Sequence, residues 1–229
     1  LMKKTVYIFN CYGTLNLPLC LNLYNEAVKI SDLVCNKYCC VFTDRNDKLW
    51  SRSGTVKNIE CNFSKYFTDN SRPSRLTSLE IFDQPKGTQK WELEKHSCGF
   101  YICELKNGFF NIYIVLSVDL TDDKLVEIWK AFENYCMLKY MVSFSLDAQK
   151  NVEIYMYGQP IYPIDADIKT YYSQTEKETV SKLYDLHLQK TNDLEDIFPI
   201  CIITKGITVN EQAYSSEKAI SSDTLLLSK

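Results

Sequence analysis

The first 95 residues combine strand-like and helix-like spacings of apolar side chains. Residues 6–9 form a short apolar run typical of a strand. Apolar residues then recur every three or four positions, which predicts a helix over about 18–35 with Pro18 near its first turn. Further strands are predicted over residues 37–43, 48–51 and 55–63. Residues 69–78 are the most loop-like stretch of the chain and suggest a boundary or a loop.

The pattern in the middle of the chain is clearer. Strands are predicted over residues 88–94, 99–105, 109–118, 139–146 and 151–157. Asn107-Gly108 joins two of them and is a strong signal for a hairpin. Thr121 is expected to cap a helix whose apolar stripe includes Trp129 and Phe132.

Towards the end, Thr175 to Glu178 match the capping box of a further helix. Residues 199–204 predict a short buried strand, and residues 215–229 are expected to be ordered only in part.

These elements predict an α+β fold in which helices pack on one face of one or more antiparallel sheets. Residues 96–229 follow a strand–strand–helix–strand–strand order, and a similar succession in residues 1–95 suggests two similar halves. We interpret 1–95 and 96–229 either as two α+β halves or as one continuous domain.

Composition and charge restrict the function classes. With 45% hydrophobic residues, 7 Gly and 6 Pro, the chain is neither disordered nor of low complexity. The formal net charge of −3 disfavours a general nucleic-acid binder. Residues 1–95 carry an excess of 4 positive charges and residues 96–229 an excess of 7 negative ones, so self-association through opposite charges is an alternative to test.

Ten cysteines are a high count for this length. The apolar run near Met2 is too short for a signal peptide, and no stretch is apolar enough to span a membrane, so we expect a cytoplasmic protein with reduced thiols. A zinc site is the alternative, using Cys35 with Cys39 or Cys40 and Cys98 with Cys103. We expect no metal and no cofactor.

One motif resembles a known catalytic sequence. Residues 6–15, Val-Tyr-Ile-Phe-Asn-Cys-Tyr-Gly-Thr-Leu, resemble the first motif of haloacid-dehalogenase-type phosphatases, Phe-Asp-x-Asp-Gly-Thr-Leu after a strand. In that family the two aspartates act as nucleophile and as general acid and base, with Mg²⁺ beside them. Asn10 and Tyr12 stand at those two positions here. An amide neither forms the phosphoryl-enzyme nor supplies the charge that Mg²⁺ requires, so this chemistry is excluded at the motif.

Two other sets of residues could carry catalysis. His96 and Cys98 lie close together in a predicted turn, and Asp165 with Asp167 could hold a divalent cation. The other histidine of the chain, His187, is expected on a helix as a packed or surface imidazole. A hydrolytic enzyme of unrecognised type using one of these sets is therefore an alternative function.

Aromatic residues are the clearest excess, with 16 Tyr and 11 Phe. Tyrosine suits protein-binding surfaces because it combines a large apolar ring with a hydroxyl. We expect a partner surface formed by Tyr155, Tyr157, Tyr162, Asp165, Asp167, Tyr171 and Tyr172.

The sequence therefore predicts a non-enzymatic protein-binding module. The acidic second half favours a basic partner, and a bacterial immunity or antitoxin-type protein that occludes a toxin is the class that fits best. The alternatives are the hydrolytic enzyme and a self-associating structural subunit.

Overall fold

The computed structural model describes residues 3–31, 38–45, 48–54, 75–82, 98–147, 150, 171–188, 191–194 and 198–229. The strands are β1 (Lys3–Tyr12), β2 (Tyr38–Arg45), β3 (Lys48–Gly54), β4 (Arg75–Phe82), β5 (Gly99–Glu104), β6 (Phe109–Leu116), β7 (Met137–Asp147), β8 (Ile200–Thr204), β9 (Ser216–Ser221) and β10 (Thr224–Ser228). The helices are α1 (Leu17–Ser31), α2 (Asp122–Glu133) and α3 (Gln174–His187), and a 3₁₀ turn covers Glu211–Ala213.

Within the described residues, the strands form one ten-stranded sheet in the order β3-β2-β4-β5-β6-β1-β7-β8-β10-β9. Every neighbouring pair in it is antiparallel. The predicted α+β class with an antiparallel sheet is confirmed. Strand β1 lies between β6 and β7, so residues 1–95 and 96–229 both contribute to the same sheet.

Alternating side chains of the central strands feed two separate cores. In β1, Tyr7, Phe9 and Cys11 pack with α1 and α2 on one face of the sheet. Val6 and Ile8 belong to the second core, which α3 covers on the opposite face. The helices therefore lie on both faces, and the prediction of a single helical face holds for α1 and α2 only. A strand buried on both sides needs apolar residues at odd and even positions alike, as β1 has.

The helix ends follow local chemistry. The Thr121 side chain accepts a hydrogen bond from the Lys124 N–H and begins α2, as predicted. For α3 the predicted capping box is wrong by two residues, because Ser173 is the N-cap and pairs reciprocally with Glu176. Both segments match the same four-residue pattern, and the earlier one adds half a turn to the helix.

Two segments are more regular than the sequence suggested. Strand β4 begins at Arg75, inside the predicted loop. A shift in its pairing with β2 interrupts the alternation of apolar and polar residues near Thr77, so the sequence pattern did not indicate a strand there. Residues 215–229 include β9 and β10, and Leu226 and Leu227 are buried in the two different cores. The predictions over 55–63, 88–94 and 151–157 lie outside the described residues.

Of the helices in the described part of the chain, none combines the length and apolar character needed to cross a membrane.

Candidate protein-binding surface

A row of large side chains crosses one end of the three central strands. Tyr12 of β1 is paired in register with Phe109 of β6 on one side and with Met137 of β7 on the other. Tyr12 is 47% exposed and Met137 66%, whereas Phe109 is half-buried. Tyr135, also exposed, lies two residues before Met137 in the corner that follows α2. We call these four residues the sheet-end patch.

Two rings of the sheet-end patch are held in place by their neighbours. The Tyr12 and Phe109 rings meet edge to face with centroids 5.0 Å apart, and Lys139 Nζ lies 4.9 Å from the Phe109 centroid. Gly108 has a φ of +78°, and a Cβ there would lie 3.1 Å from the Tyr12 ring. The hairpin therefore needs glycine at this position both for its turn and for the close approach of Tyr12.

A buried polar row lies directly inside the patch, on the α3 side of the sheet. Asn10 is paired in register with Asn111 and with Tyr140. Asn10 Nδ2 donates to Asn111 Oδ1 at 2.8 Å, and Asn111 Nδ2 donates to the Tyr113 hydroxyl at 3.1 Å. The Tyr140 hydroxyl is buried with no hydrogen-bond partner among the described residues, and its burial raises its pKa.

His187, the last residue of α3, covers this polar row. Its Nε2 lies 2.6 Å from Asn111 Nδ2, and the residue is only 5% exposed. Because the amide nitrogen can only donate, Nε2 accepts and the imidazole is neutral. Burial lowers the pKa of His187 to about 4, which agrees with this hydrogen bond.

The end of α3 explains why the patch is exposed. The helix covers the sheet up to His187, above the row of Asn10 and Asn111. Tyr12 follows Asn10 by two positions on the same strand and therefore lies on the same face, one row further out. The sheet continues past its covering helix here, with aromatic and thioether side chains on the surface.

Most of the sequence-predicted site residues lie outside the described residues. These are Tyr155, Tyr157, Tyr162, Asp165, Asp167 and the candidate catalytic residue His96. The surface that they were predicted to form stays a prediction.

Tyr171 and Tyr172 are described, and they pack at the start of α3. Their rings form an edge-to-face pair with centroids 4.7 Å apart. Lys150 Nζ lies near both rings and donates to both carboxylate oxygens of Glu176, at 2.5 and 2.7 Å. Tyr172 is 3% exposed and belongs to the core under α3. We therefore withdraw Tyr172 from the predicted surface, because its ring is already enclosed by its own chain.

Two of the described thiols, those of Cys103 and Cys201, are poor nucleophiles because burial disfavours the thiolate form. Burial raises the pKa of Cys103 to about 12 and that of Cys201 to about 11. Cys98, from the proposed pair with His96, is half-buried with its sulfur 4.0 Å from the Ser117 hydroxyl. Within the described ranges, no group of three or more His, Cys, Asp or Glu side chains is arranged to hold a metal ion.

Sequence reasoning missed the sheet-end patch. Tyr12 was considered only as a departure from a phosphatase motif, and Met137 follows the helix stripe without a pattern of its own. The single local signal was an aromatic residue, Phe109, directly after the Asn107-Gly108 turn. The pairing of Tyr12 with Met137 joins residues 125 positions apart, and no local pattern predicts such a contact.

Comparison of the chain with protein-family models, with curated proteins and with solved structures found no match.

Proposed function

We propose that this protein is a protein-binding module and that the sheet-end patch is its contact surface. One observation carries the proposal: Tyr12, Phe109 and Met137 stand in register across the central strands, and Tyr12 and Met137 are exposed where α3 ends. Tyrosine, phenylalanine and methionine are enriched in the buried centres of protein interfaces. Such a cluster on a folded surface is typical of an interaction site.

The restricted conformation of the Tyr12 side chain also supports binding. The Tyr12 ring is packed against Phe109 and Gly108, so it loses little side-chain freedom when a partner covers it. A rigid aromatic anchor of this kind is what the energetically dominant residues of interfaces have in common.

Lysines at the rim of the patch indicate the chemistry of the partner. Lys106 is exposed in the hairpin turn, and Lys139 lies over Phe109. We propose a protein that places an apolar side chain on the patch and a carboxylate near these lysines. The basic partner predicted from Asp165 and Asp167 would need a different surface, and it stays a prediction.

The buried polar groups also support binding over catalysis. The ring nitrogen of His187 that would serve as a base is occupied by Asn111 inside the core. The hydrolytic alternative with His96 and Cys98 stays a prediction, because His96 lies outside the described residues.

Pull-down from an extract of the native source, followed by titration of the identified protein in purified form, tests the proposal. We expect Met137→Asp to weaken binding at least about tenfold, because it places a charge in the apolar centre of the contact. Val118→Asp is the matched control: Val118 is 74% exposed and follows the opposite end of β6. It should bind like the wild type.

Equal binding of both variants to the purified partner would refute the sheet-end patch as the contact surface. If the partner is an enzyme whose activity is blocked in the complex, the immunity-type function is supported. Absence of any specific partner across extracts and salt concentrations would contradict the protein-binding function.

A further inference from the structure

Two cysteines lie in the same apolar cluster, on the face of the sheet opposite the sheet-end patch. Cys11 is buried near the end of β1, and Cys136 is half-buried immediately before β7. In the pairing of β1 with β7, Cys11 lies opposite Leu138, two residues beyond Cys136. Cys11 belongs to the apolar cluster under α1 and α2, Cys136 packs against the same cluster, and the Cys136 thiol contributes to the raised pKa of Cys11.

Each sulfur also lies close to a backbone carbonyl oxygen of its own segment. The Cys11 sulfur lies 3.6 Å from the Phe9 carbonyl oxygen, and the Cys136 sulfur lies 3.6 Å from the Phe132 carbonyl oxygen at the end of α2. Cys136 is thus held at the end of α2, and Cys11 lies one row away from it in the pairing of β1 with β7.

We propose that Cys11 and Cys136 form a dithiol site that closes to a disulfide by exchange with a small-molecule disulfide. The proposal goes beyond the proposed function, because it concerns covalent chemistry within the chain and needs no protein partner.

The reaction takes place in two exchange steps. The more accessible Cys136, as its thiolate, attacks one sulfur of the small disulfide, forms a mixed disulfide and releases one thiolate. Cys11 then loses its proton and displaces the second thiolate from Cys136, which forms the Cys11–Cys136 bond. The two cysteines are oxidised by two electrons, the small disulfide is reduced to two thiols, and the protons of the cysteines are transferred to these thiols.

Burial and the neighbouring thiol raise the pKa of Cys11 well above its usual value. Cys11 therefore acts second, as the resolving thiol, and the second step should become faster as the pH rises.

The new bond would join two residues that are sequence neighbours of the sheet-end patch. Cys11 precedes Tyr12, and Cys136 stands between Tyr135 and Met137. A covalent link at this point would fix the strands that present the patch.

Incubation of the folded protein with glutathione disulfide, followed by thiol blocking and peptide mapping, tests the proposal. We expect the Cys11–Cys136 peptide as the main product, at least about tenfold more abundant than in the same reaction in urea, because only the fold holds these two sulfurs together. Phenylarsine oxide, which bridges neighbouring thiols, should protect the same two cysteines in the reduced protein.

Cys98→Ser is the matched control, because Cys98 is half-buried like Cys136 but has the Ser117 hydroxyl as its neighbour. It should leave the disulfide unchanged, whereas Cys136→Ser should abolish it and leave Cys11 reduced. Circular dichroism of both variants checks that they are folded. The proposal would be overturned if the folded protein formed the same distribution of disulfides as the protein in urea. It would also be overturned if the folded wild type formed no Cys11–Cys136 peptide. Either result can be obtained whether or not the sheet-end patch binds a protein.

Discussion

At the scale of single residues, the hydrogen bond between His187 and Asn111 joins the last turn of α3 to the central strands. It requires a neutral imidazole, because the amide nitrogen of Asn111 needs an acceptor. The surrounding polar groups, Asn10 and Tyr113, are uncharged at neutral pH and cannot compensate a proton on His187. We therefore expect His187 to make the fold sensitive to acid.

We expect the free energy of unfolding to fall as the pH decreases from about 6.5 to about 4. The unfolded chain binds a proton at His187 in this window and the folded chain does not, so protonation favours unfolding. The contribution of neutral His187 to the free energy of unfolding is fully present above the pKa of the unfolded chain and is at most roughly 3 kcal/mol. Urea denaturation at several pH values measures it.

His187→Gln should remove this part of the pH dependence, whatever it does to stability at pH 7. His96→Gln, a change at the only other histidine of the chain, should retain it if the effect belongs to His187. The same pH dependence in the wild type and in His187→Gln would contradict the role given to this imidazole.

At the scale of elements, α3 is held at its start by the Ser173–Glu176 capping box and by the ion pair between Lys150 and Glu176. Ser173→Ala removes the side-chain acceptor for the Glu176 N–H and should lower the free energy of unfolding by about 1 kcal/mol. Thr175→Ala changes the residue that the sequence pattern favoured as the cap. Thr175 lies inside the first turn, so this variant should differ from the wild type by less than about 0.5 kcal/mol. Urea denaturation measures both variants. An equal loss of stability in the two would show that Ser173 is not the residue that caps α3.

At the scale of the whole molecule, the sheet separates two cores, and β10 contributes to both. Leu226 packs on the side of α1 and α2, and its neighbour Leu227 packs on the side of α3. Truncation of either to alanine should lower the free energy of unfolding by roughly 2–4 kcal/mol, because each leaves a cavity in a core that holds the sheet.

Leu225→Ala is the control, since Leu225 is only partly buried. We expect a clearly smaller loss for it in thermal or urea denaturation. If Leu226→Ala and Leu227→Ala cost no more than Leu225→Ala, β10 does not belong to the cores.

The sequence was most informative where the evidence is local. The start of α2 at Thr121 and the hairpin at Asn107-Gly108 depend on residues within a few positions of one another, and both predictions are confirmed. The cap of α3 was misplaced because two overlapping segments satisfy the same pattern. Strand β4 was taken in part for a loop because its irregular pairing breaks the alternation near Thr77.

The candidate surface could not be predicted in the same way. Phe109 and Met137 become neighbours of Tyr12 only through the antiparallel pairing of β1 with two strands that follow much later in the chain. Whether such residues are exposed depends on where α3 ends above the sheet, and that depends on packing against the second core. The segment around Asp165 and Asp167, which the sequence favoured, lies outside the described residues.

By itself, the sequence determined the α+β class, the start of α2 and the hairpin at Asn107-Gly108, because propensity, capping and turn chemistry act over short distances. Only the tertiary structure decided the order of the ten strands of the described residues, the division of the helices between two faces, and the packing of Cys11 and Cys136 in one core. These features depend on strand pairing and burial between residues that are distant in the sequence, so they exist only in the folded chain.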